Sequence, residues 1–203
     1  MKKFIILLIL PLLIFSGSFA LQGSTKGFPK PVVEVENLVN EEGKPTKLSD
    51  FKGKVVILYF GFTHCQHVCP TVTAALKQIS EKLNEKGYKG KYQIVFITVD
   101  PKDTPKVLKE YKTIRNLDDF VFLTGSPKDL KKAWDAYEIE VKEKVMEMDH
   151  GGHHHHKMEH KMITHTPVRT IIIDKNGNQV EEWLGIYLPV EKIVEDVEEL
   201  INK

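Results

Sequence analysis

Hydrophobic residues follow two different periods along this chain, and each period predicts a different element. Residues 55–60 and 92–99 are almost continuously apolar and rich in β-branched side chains, as is typical of strands covered on both faces. Between them, residues 70–87 carry an apolar residue every three or four positions, which predicts an amphipathic helix that ends near a glycine. The middle of the chain is therefore predicted to alternate strands with helices.

The whole chain can be divided in the same way. The predicted elements are, in order, a lead-in hairpin (32–48), a strand (55–60), a helix (70–87), a strand (92–99), a helix after Asp100-Pro101, a strand (120–123), a helix after Ser126-Pro127, an insertion (146–162), a hairpin (168–184) and a helix after Leu188-Pro189. This order predicts a thioredoxin-like α/β fold with an N-terminal β-hairpin extension and a His/Met-rich insertion before the C-terminal β-hairpin.

The first 22 residues have the layout of an export signal. Two lysines precede an apolar stretch, and Ser18-x-Ala20 fits a small-residue cleavage site. Because Phe4 to Leu21 contains no charge, an uncleaved membrane anchor is an equal alternative. Either form places the protein in the periplasm or on the extracytoplasmic face of the membrane. The predicted organisation is a signal peptide or anchor (1–22), a linker rich in Gly, Ser, Lys and Pro (23–31) and one domain (32–203).

Composition narrows the possible partners. The chain has 203 residues, of which 41% are hydrophobic, enough for one domain with its own core. It carries 29 basic and 28 acidic residues, and the two signs are interspersed. Since no polybasic face results, nucleic acid is not an expected partner.

Both cysteines of the chain lie where the first long strand is predicted to pass into a helix. Cys65 and Cys69 are four residues apart, so their Cα atoms on a helical turn would be about 6 Å from each other, which a disulfide can span. So short a loop removes little entropy from the unfolded chain, which makes a structural disulfide there weak. The partial positive charge of a helix N-terminus favours thiolates. This spacing therefore indicates a metal or redox site.

A second group of soft metal ligands occupies the insertion. Imidazole and thioether side chains at this density are typical of copper binding, and we predict a flexible loop that collects or passes copper. The alternative is a solvated low-complexity insertion that binds metal only incidentally. The candidate auxiliary ligands are Met146, Met148, His150, His153, His154, His155, His156, Met158, His160 and Met162.

Three motifs together resemble one known family. They are Phe60-Gly61-Phe62-Thr63-His64-Cys65-Gln66-His67-Val68-Cys69-Pro70, Val99-Asp100-Pro101 after the next strand, and His165-Thr166 before the late hairpin. This combination resembles the Sco/SenC family of copper proteins, from about Val32 to the C-terminus. Three intervening residues separate the cysteines, whereas thioredoxins and most of their relatives use two. The chain departs from the family pattern at Gln66-His67, at Thr164, where an acidic residue is common, and at Pro167, an additional residue before the strand.

The resemblance implies a function and a ligand set. It implies that Cys65, Cys69 and His165 bind one copper, as Cu(I) or Cu(II), and that the protein delivers copper to the CuA centre of cytochrome c oxidase or helps assemble it. The expected partner is the CuA-bearing subunit of the oxidase or another copper protein. Such a chaperone needs no catalytic turnover. From spacing alone, His165 is equally well a loop histidine that caps a strand.

Other functions stay open at this stage. The cysteine pair would also serve an exported thiol-disulfide oxidoreductase, and the predicted fold permits a peroxide-reducing enzyme. Two cysteines, a histidine and water are also a zinc ligand set, although thioethers are poor ligands for zinc and favour copper(I).

Overall fold

The computed structural model describes residues 23–66, 68–147 and 159–203. The elements are, in chain order, β1 (Lys30–Pro31), β2 (Val39–Asn40), a short 3-10 helix (Leu48–Phe51), β3 (Val55–Gly61), α1 (Val68–Glu85), β4 (Tyr92–Thr98), α2 (Pro105–Arg115), β5 (Phe120–Thr124), α3 (Pro127–Ala136), β6 (Glu140–Glu147), β7 (Glu159–Thr166), β8 (Arg169–Ile173), β9 (Asn178–Leu184) and α4 (Val190–Asn202). In the part of the chain that the structure describes, none of the helices combines the length and hydropathy needed to span a bilayer.

A seven-stranded mixed sheet in the order β1-β9-β8-β3-β4-β5-β2 forms the centre of the molecule. β3, β4 and β5 run parallel, whereas β8 and β9 form the predicted antiparallel hairpin beside β3. All seven residues of β3 are buried, because helices α1, α2 and α4 cover one face of the sheet and α3 with the N-terminal segment covers the other. The predicted thioredoxin-like α/β arrangement is confirmed.

The N-terminal extension differs from the hairpin that the sequence predicts. β1 pairs with β9 at one edge of the sheet, and β2 pairs with β5 at the other edge. Only the turn after Leu38 closes on itself, through hydrogen bonds from Thr46 N to Leu38 O and from Asn40 N to Lys44 O and a single bridge between Val39 and Pro45. Isolated two-stranded hairpins are marginal, whereas the edges of a large sheet offer unpaired backbone groups, so these short strands pair there.

Residues 23–31, predicted as a linker, run along the edge of the sheet. Ser24 and Glu182 exchange two backbone hydrogen bonds of 3.0 Å, and Lys30 lies opposite Gln179 in β1–β9. This segment therefore enters beside the end of β9 and follows that strand in the opposite direction. Residues 1–22, predicted as a signal peptide or anchor, lie outside the described residues.

The predicted loop at 146–162 begins and ends in strands. β6 and β7 form a separate two-stranded antiparallel sheet, with Glu140 opposite Thr166 at one end and Glu147 opposite Glu159 at the other. Val141, Val145 and Ile163 alternate with polar residues, which is the period of a strand with one covered face. The flexible-loop prediction is thus wrong at both ends of the segment, and residues 148–158 lie outside the described residues.

Candidate metal centre

The two cysteines lie at the carboxyl end of β3, where the chain turns into α1. Cys65 is half-buried in the loop before the helix, and Cys69 is fully buried as the second residue of α1. Neither cysteine is in a disulfide, and the backbone N–H of Cys69 donates a hydrogen bond of 3.3 Å to Cys65 Sγ. The N-terminus of the helix thus faces the Cys65 sulfur, as the sequence predicts.

The electrostatics of Cys69 differ from the expectation for a cysteine at a helix N-terminus. Its hydrogen-bonding interaction with Cys65, followed by burial, raises the pKa of the Cys69 thiol well above its usual range. The Phe62 backbone and the Tyr59 side chain lower this pKa, but by less. Cys69 therefore keeps its proton unless a cation is present, and a metal ion bound to both sulfurs would supply the charge that ionises it.

His165 is carried by β7 and lies opposite Val141 in the two-stranded sheet. Its ring packs edge-on against Phe62 of the cysteine loop, with 6.3 Å between ring centroids. Nδ1 is buried and has no hydrogen-bond partner among the described residues. Burial lowers the pKa of His165, and the Pro167 backbone acts in the opposite direction. A neutral imidazole with an unpartnered buried nitrogen fits a soft metal ion. Among the described residues, however, the group whose ligand atoms meet within 4.8 Å is His64, Asp100 and Asp103, not Cys65, Cys69 and His165.

Asp103 ties the cysteine loop to the neighbouring strand. Its carboxylate accepts hydrogen bonds from Thr63 N (3.0 Å), Thr63 Oγ1 (2.5 Å) and Thr98 Oγ1 (2.7 Å). Asp103 is fully buried, and burial raises its pKa, although the hydrogen bonds from Thr63 and Thr98 lower it. The backbone two residues before Cys65 is therefore fixed from β4. We name this set of hydrogen bonds the Asp103 clamp.

The sequence did not single out Asp103. A signal was available, because the carboxyl ends of neighbouring parallel strands meet at one edge of a sheet and Asp103 follows β4 closely. The three hydrogen bonds nevertheless join residues up to 40 positions apart in the chain, and nothing in the local pattern specifies that pairing.

His64 belongs to a second group of ligand atoms beside the cysteine loop. A nitrogen of His64 and carboxylate oxygens of Asp100 and Asp103 lie within 4.8 Å of one another. His64 is exposed, and its Nδ1 lies 3.0 Å from Thr63 Oγ1. Because the Asp103 oxygens already accept three hydrogen bonds, this group fits a structural network better than a metal site.

Two buried tyrosines lie next to the cysteines. The hydroxyls of Tyr59 and Tyr111 are buried, and neither finds a hydrogen-bond partner within the described part of the chain. Burial raises the pKa of both groups, and the negative charge of a Cys69 thiolate would raise them further. Tyr59 belongs to an apolar run that the sequence assigns only to the core, so no pattern indicated its place beside Cys69.

The structure places the predicted auxiliary ligands unequally. Met162 lies in β7 with 40% of its surface exposed, and the backbone of Met146 and His160 lies in β6 and β7. The predicted ligands outside the described residues are Met148, His150, His153, His154, His155, His156 and Met158.

The fold and the cysteine position together define the class. A central sheet with β3 and β4 parallel, a late antiparallel hairpin and two cysteines at the start of the first helix describe a thioredoxin-like protein. Residues 26–202 match the family model described as SCO1/SenC, and the chain belongs to that family. The resemblance predicted from the motifs is confirmed.

Named relatives are similar over most of the chain. An SCO2-like protein of Rickettsia typhi is 33% identical over 156 residues, which cover 74% of this chain and 68% of the relative. The copper-bound structure of Arabidopsis thaliana ScoI is 26% identical with a TM-score of 0.68, covering 86% of this chain and 98% of that one. Copper-bound yeast Sco1 is 26% identical with a TM-score of 0.65, covering 87% and 89% of the respective chains.

Proposed function

We propose that this chain is a copper chaperone that binds one copper ion through Cys65, Cys69 and His165 and passes it to the CuA centre of cytochrome c oxidase. The observation that carries the proposal is His165 Nδ1, a buried nitrogen without a hydrogen-bond partner among the described residues, on a ring packed against the cysteine loop. Membership of the SCO1/SenC family and the copper bound in solved relatives support it.

The donor set suits copper in both oxidation states. Two thiolates and a neutral imidazole give the site a formal charge of minus one with copper(I) and of zero with copper(II). The lowered pKa of His165 keeps its ring neutral at neutral pH, so it needs no deprotonation before it binds. Cys69, by contrast, must lose a proton before it binds. Because its pKa is raised, the thiol is protonated at neutral pH, and metal uptake releases that proton.

The chaperone role also accounts for the predicted His/Met-rich segment and for the predicted export of the protein. The segment 146–162 would collect copper close to the primary site, and the N-terminal segment would place the domain on the extracytoplasmic side, where an acceptor domain of the oxidase is exposed. These two assignments rest on the sequence.

A thiol-disulfide oxidoreductase is the second candidate, favoured by the difference in exposure between the cysteines. Cys65 is half-buried, whereas Cys69 is fully buried behind it. In that reaction the Cys65 thiolate attacks a substrate disulfide and releases one substrate thiolate. The Cys69 thiolate, after losing its proton, attacks the mixed disulfide, so that the substrate is reduced and Cys65–Cys69 is oxidised.

An anaerobic copper(I) competition titration of the full chain tests the proposal. We expect one tight equivalent, weakened on the order of 100-fold by His165→Ala, since one of three ligands is lost. His64→Ala is the matched control, because this exposed histidine adjoins Cys65 and should leave the affinity unchanged. Replacing residues 148–158 by a Gly/Ser segment of equal length separates the loop from the site while it preserves β6 and β7.

Either of two results would contradict the proposal. Equal copper(I) affinity in the His165→Ala and unsubstituted proteins would remove His165 from the ligand set. A chain that binds no copper tightly but reduces protein disulfides through Cys65 and Cys69 would make the oxidoreductase the leading function.

A further inference from the structure

Tyr59 carries a buried hydroxyl that the packing of the fold does not explain. The side chain has no exposed surface, and its hydroxyl oxygen finds no hydrogen-bond partner among the described residues. A buried hydroxyl without a hydrogen bond destabilises a fold, and phenylalanine would fill the same space without that penalty. The hydroxyl therefore fits a partner that forms in another state of the protein.

The ring of Tyr59 extends along β3 toward the cysteine loop. A Cβ atom on Gly61, two residues further along the strand, would lie 2.8 Å from Tyr59 Cε1. Because residues two apart share one face of a strand, the ring leans over Gly61 toward the carboxyl end of β3. Phe96 holds it there through an edge contact, with 5.5 Å between ring centroids. Glycine at position 61 thus provides the space in which the hydroxyl approaches α1.

The sulfur nearest in effect to this hydroxyl is that of Cys69, which is fully buried at the start of α1. Burial raises the pKa of Tyr59 most, followed by the charge of a Cys69 thiolate and by a hydrogen-bonding interaction with it. Cys65 acts on the pKa of Tyr59 through charge alone. The two side chains therefore interact directly.

The strength of this interaction depends on the state of the sulfur. A thiol is a weak hydrogen-bond acceptor, whereas an ionised acceptor makes a hydrogen bond about twice as strong as a neutral one. Copper binding to Cys69 replaces the thiol proton and leaves a thiolate. Hydrogen bonds around a ligand sulfur also withdraw electron density from the copper–sulfur bond and set the potential of copper centres.

We propose that the Tyr59 hydroxyl donates a hydrogen bond to Cys69 Sγ in the copper-loaded chain, so that Tyr59 is a positioning residue of the copper centre. This inference rests on the proposed function in one respect, namely that Cys69 binds copper. The hydroxyl stabilises the copper-bound thiolate and, by reducing its donor strength, favours copper(I) over copper(II).

The test is Tyr59→Phe in the full chain, with thermal unfolding measured without metal and with one equivalent of copper(I) under anaerobic conditions. Without metal, the melting temperature should stay the same or rise, since an unpartnered hydroxyl is removed. With copper(I) it should fall, and a competition titration should show an affinity about ten-fold weaker. A side chain that only packs would lower the melting temperature in both states.

Tyr111→Phe is the matched control. The Tyr111 hydroxyl is also buried without a partner in the described part of the chain, but it acts on the cysteines through charge alone. This variant should respond like Tyr59→Phe without metal and should keep the copper(I) affinity. Equal losses of affinity in the two variants would overturn the inference, because the effect would then come from packing.

Two further measurements identify the sulfur. In the copper(II)-loaded chain, the sulfur-to-copper charge-transfer absorption should move to lower energy in Tyr59→Phe, because the thiolate loses a hydrogen bond. In a Cys65→Ser chain, Tyr59→Phe should still weaken copper(I) binding, whereas in a Cys69→Ser chain it should have little effect. A loss of the same size in the Cys69→Ser chain would contradict a bond to Cys69.

The outcomes separate this inference from the proposed function. If the unsubstituted chain binds copper(I) tightly and Tyr59→Phe binds it equally well, the proposed function stands and the role of Tyr59 is wrong. If the unsubstituted chain binds no copper tightly, the proposed function fails, and cadmium(II) replaces copper as a probe that also ionises thiols. Weaker cadmium(II) binding in Tyr59→Phe than in Tyr111→Phe would then support the hydrogen bond, and equal binding would overturn it.

Discussion

The candidate centre has two halves that are held in different ways. The cysteine half is built into the main sheet, where the Asp103 clamp fixes Thr63 and where Cys69 is fully buried at the start of α1. The histidine half lies on β6–β7, a two-stranded sheet that, within the described ranges, does not pair with the seven-stranded one. Val141 and Ile163 attach this hairpin to the core by side-chain packing. Since a two-stranded sheet has few backbone partners, we expect the histidine half to have the lower local stability. A ligand-exchange reaction should therefore begin at His165 while the sulfur ligands stay in place.

Removing a sulfur ligand from the cysteine half should have the largest effect on copper(I) affinity. Cys69→Ser should weaken copper(I) binding at least about 1,000-fold, which is about 4 kcal/mol, because a buried hydroxyl does not replace a thiolate. The measurement is an anaerobic competition titration of the full chain. Cys65→Ser should give a similar loss, and a Cys69→Ser protein with unchanged affinity would show that only one sulfur binds the ion.

Strand β9, near the edge of the main sheet, carries its own pH dependence through Glu181. Burial, with the neighbouring Asp196 carboxylate second, raises the pKa of Glu181 from 4.5 to about 8. Because the pKa of Glu181 is higher in the folded than in the unfolded chain, the folded state holds this proton more tightly. The resulting stabilisation is complete below the pKa of the unfolded chain and is lost as the pH rises to about 8. The free energy of unfolding should fall on the order of 3 kcal/mol between pH 5 and 9.

Glu181→Gln tests this assignment, because the amide does not ionise. Its oxygen can still accept the hydrogen bond that the Gly23 N–H donates to Glu181. Urea unfolding of this variant should depend much less on pH. Glu191→Gln is the control, because Glu191 is 72% exposed in the first turn of α4. An unchanged pH dependence in Glu181→Gln would assign the effect to another group.

Loosening the cysteine half through its clamp should have an intermediate effect. The Asp103 carboxylate accepts three hydrogen bonds. In Asp103→Asn an NH2 group replaces one of the accepting oxygens and faces the same donors. This change should lower the free energy of unfolding by about 2 kcal/mol. Thermal unfolding measures this loss, and copper(I) affinity should fall with it, because the loop before Cys65 is released. Asp118→Asn changes an exposed aspartate and should alter neither quantity.

The smallest expected effect concerns the attachment of the histidine half. Ile163→Ala removes a half-buried side chain that packs on the core and should destabilise the docked hairpin by about 1 kcal/mol. Copper(I) should then transfer to a competing chelator about five-fold faster, as followed by stopped flow. Thr164→Ala, one position away and on the opposite face of β7, is the control. Equal transfer rates in Ile163→Ala and in the unsubstituted chain would contradict release through the histidine half.

Local pattern predicted the centre of the molecule well. The continuous apolar runs became β3 and β4, and Ser126 caps α3 with its side chain as a helix start requires. Cys65 and Cys69 were placed correctly because their position depends only on where a strand passes into a helix. The ligand set itself remains a prediction.

Features that depend on distant partners were not predictable. β6 carries mostly charged residues and was not recognised as a strand, because its Val141 and Val145 alternate too sparsely to show a period without knowledge of β7. The Asp103 clamp joins segments 40 residues apart, and β1 finds its partner in β9. The raised pKa of Cys69 results first from its hydrogen-bonding interaction with Cys65 and then from burial, which outweigh the helix terminus that the sequence alone suggested.

The course of residues 23–31 along β9 bears on how the protein would meet a membrane-bound acceptor. Ser24 pairs with Glu182 near the carboxyl end of β9, the end that lies beside Arg169 and so beside the cysteine loop. An uncleaved anchor is one of the two predictions for residues 1–22, and in that case the first described residues join the sheet at this end. The centre would then stay within a thin layer above the lipid surface. Confinement of this kind raises the effective concentration of a delivery site for any acceptor in the same membrane without adding a contact.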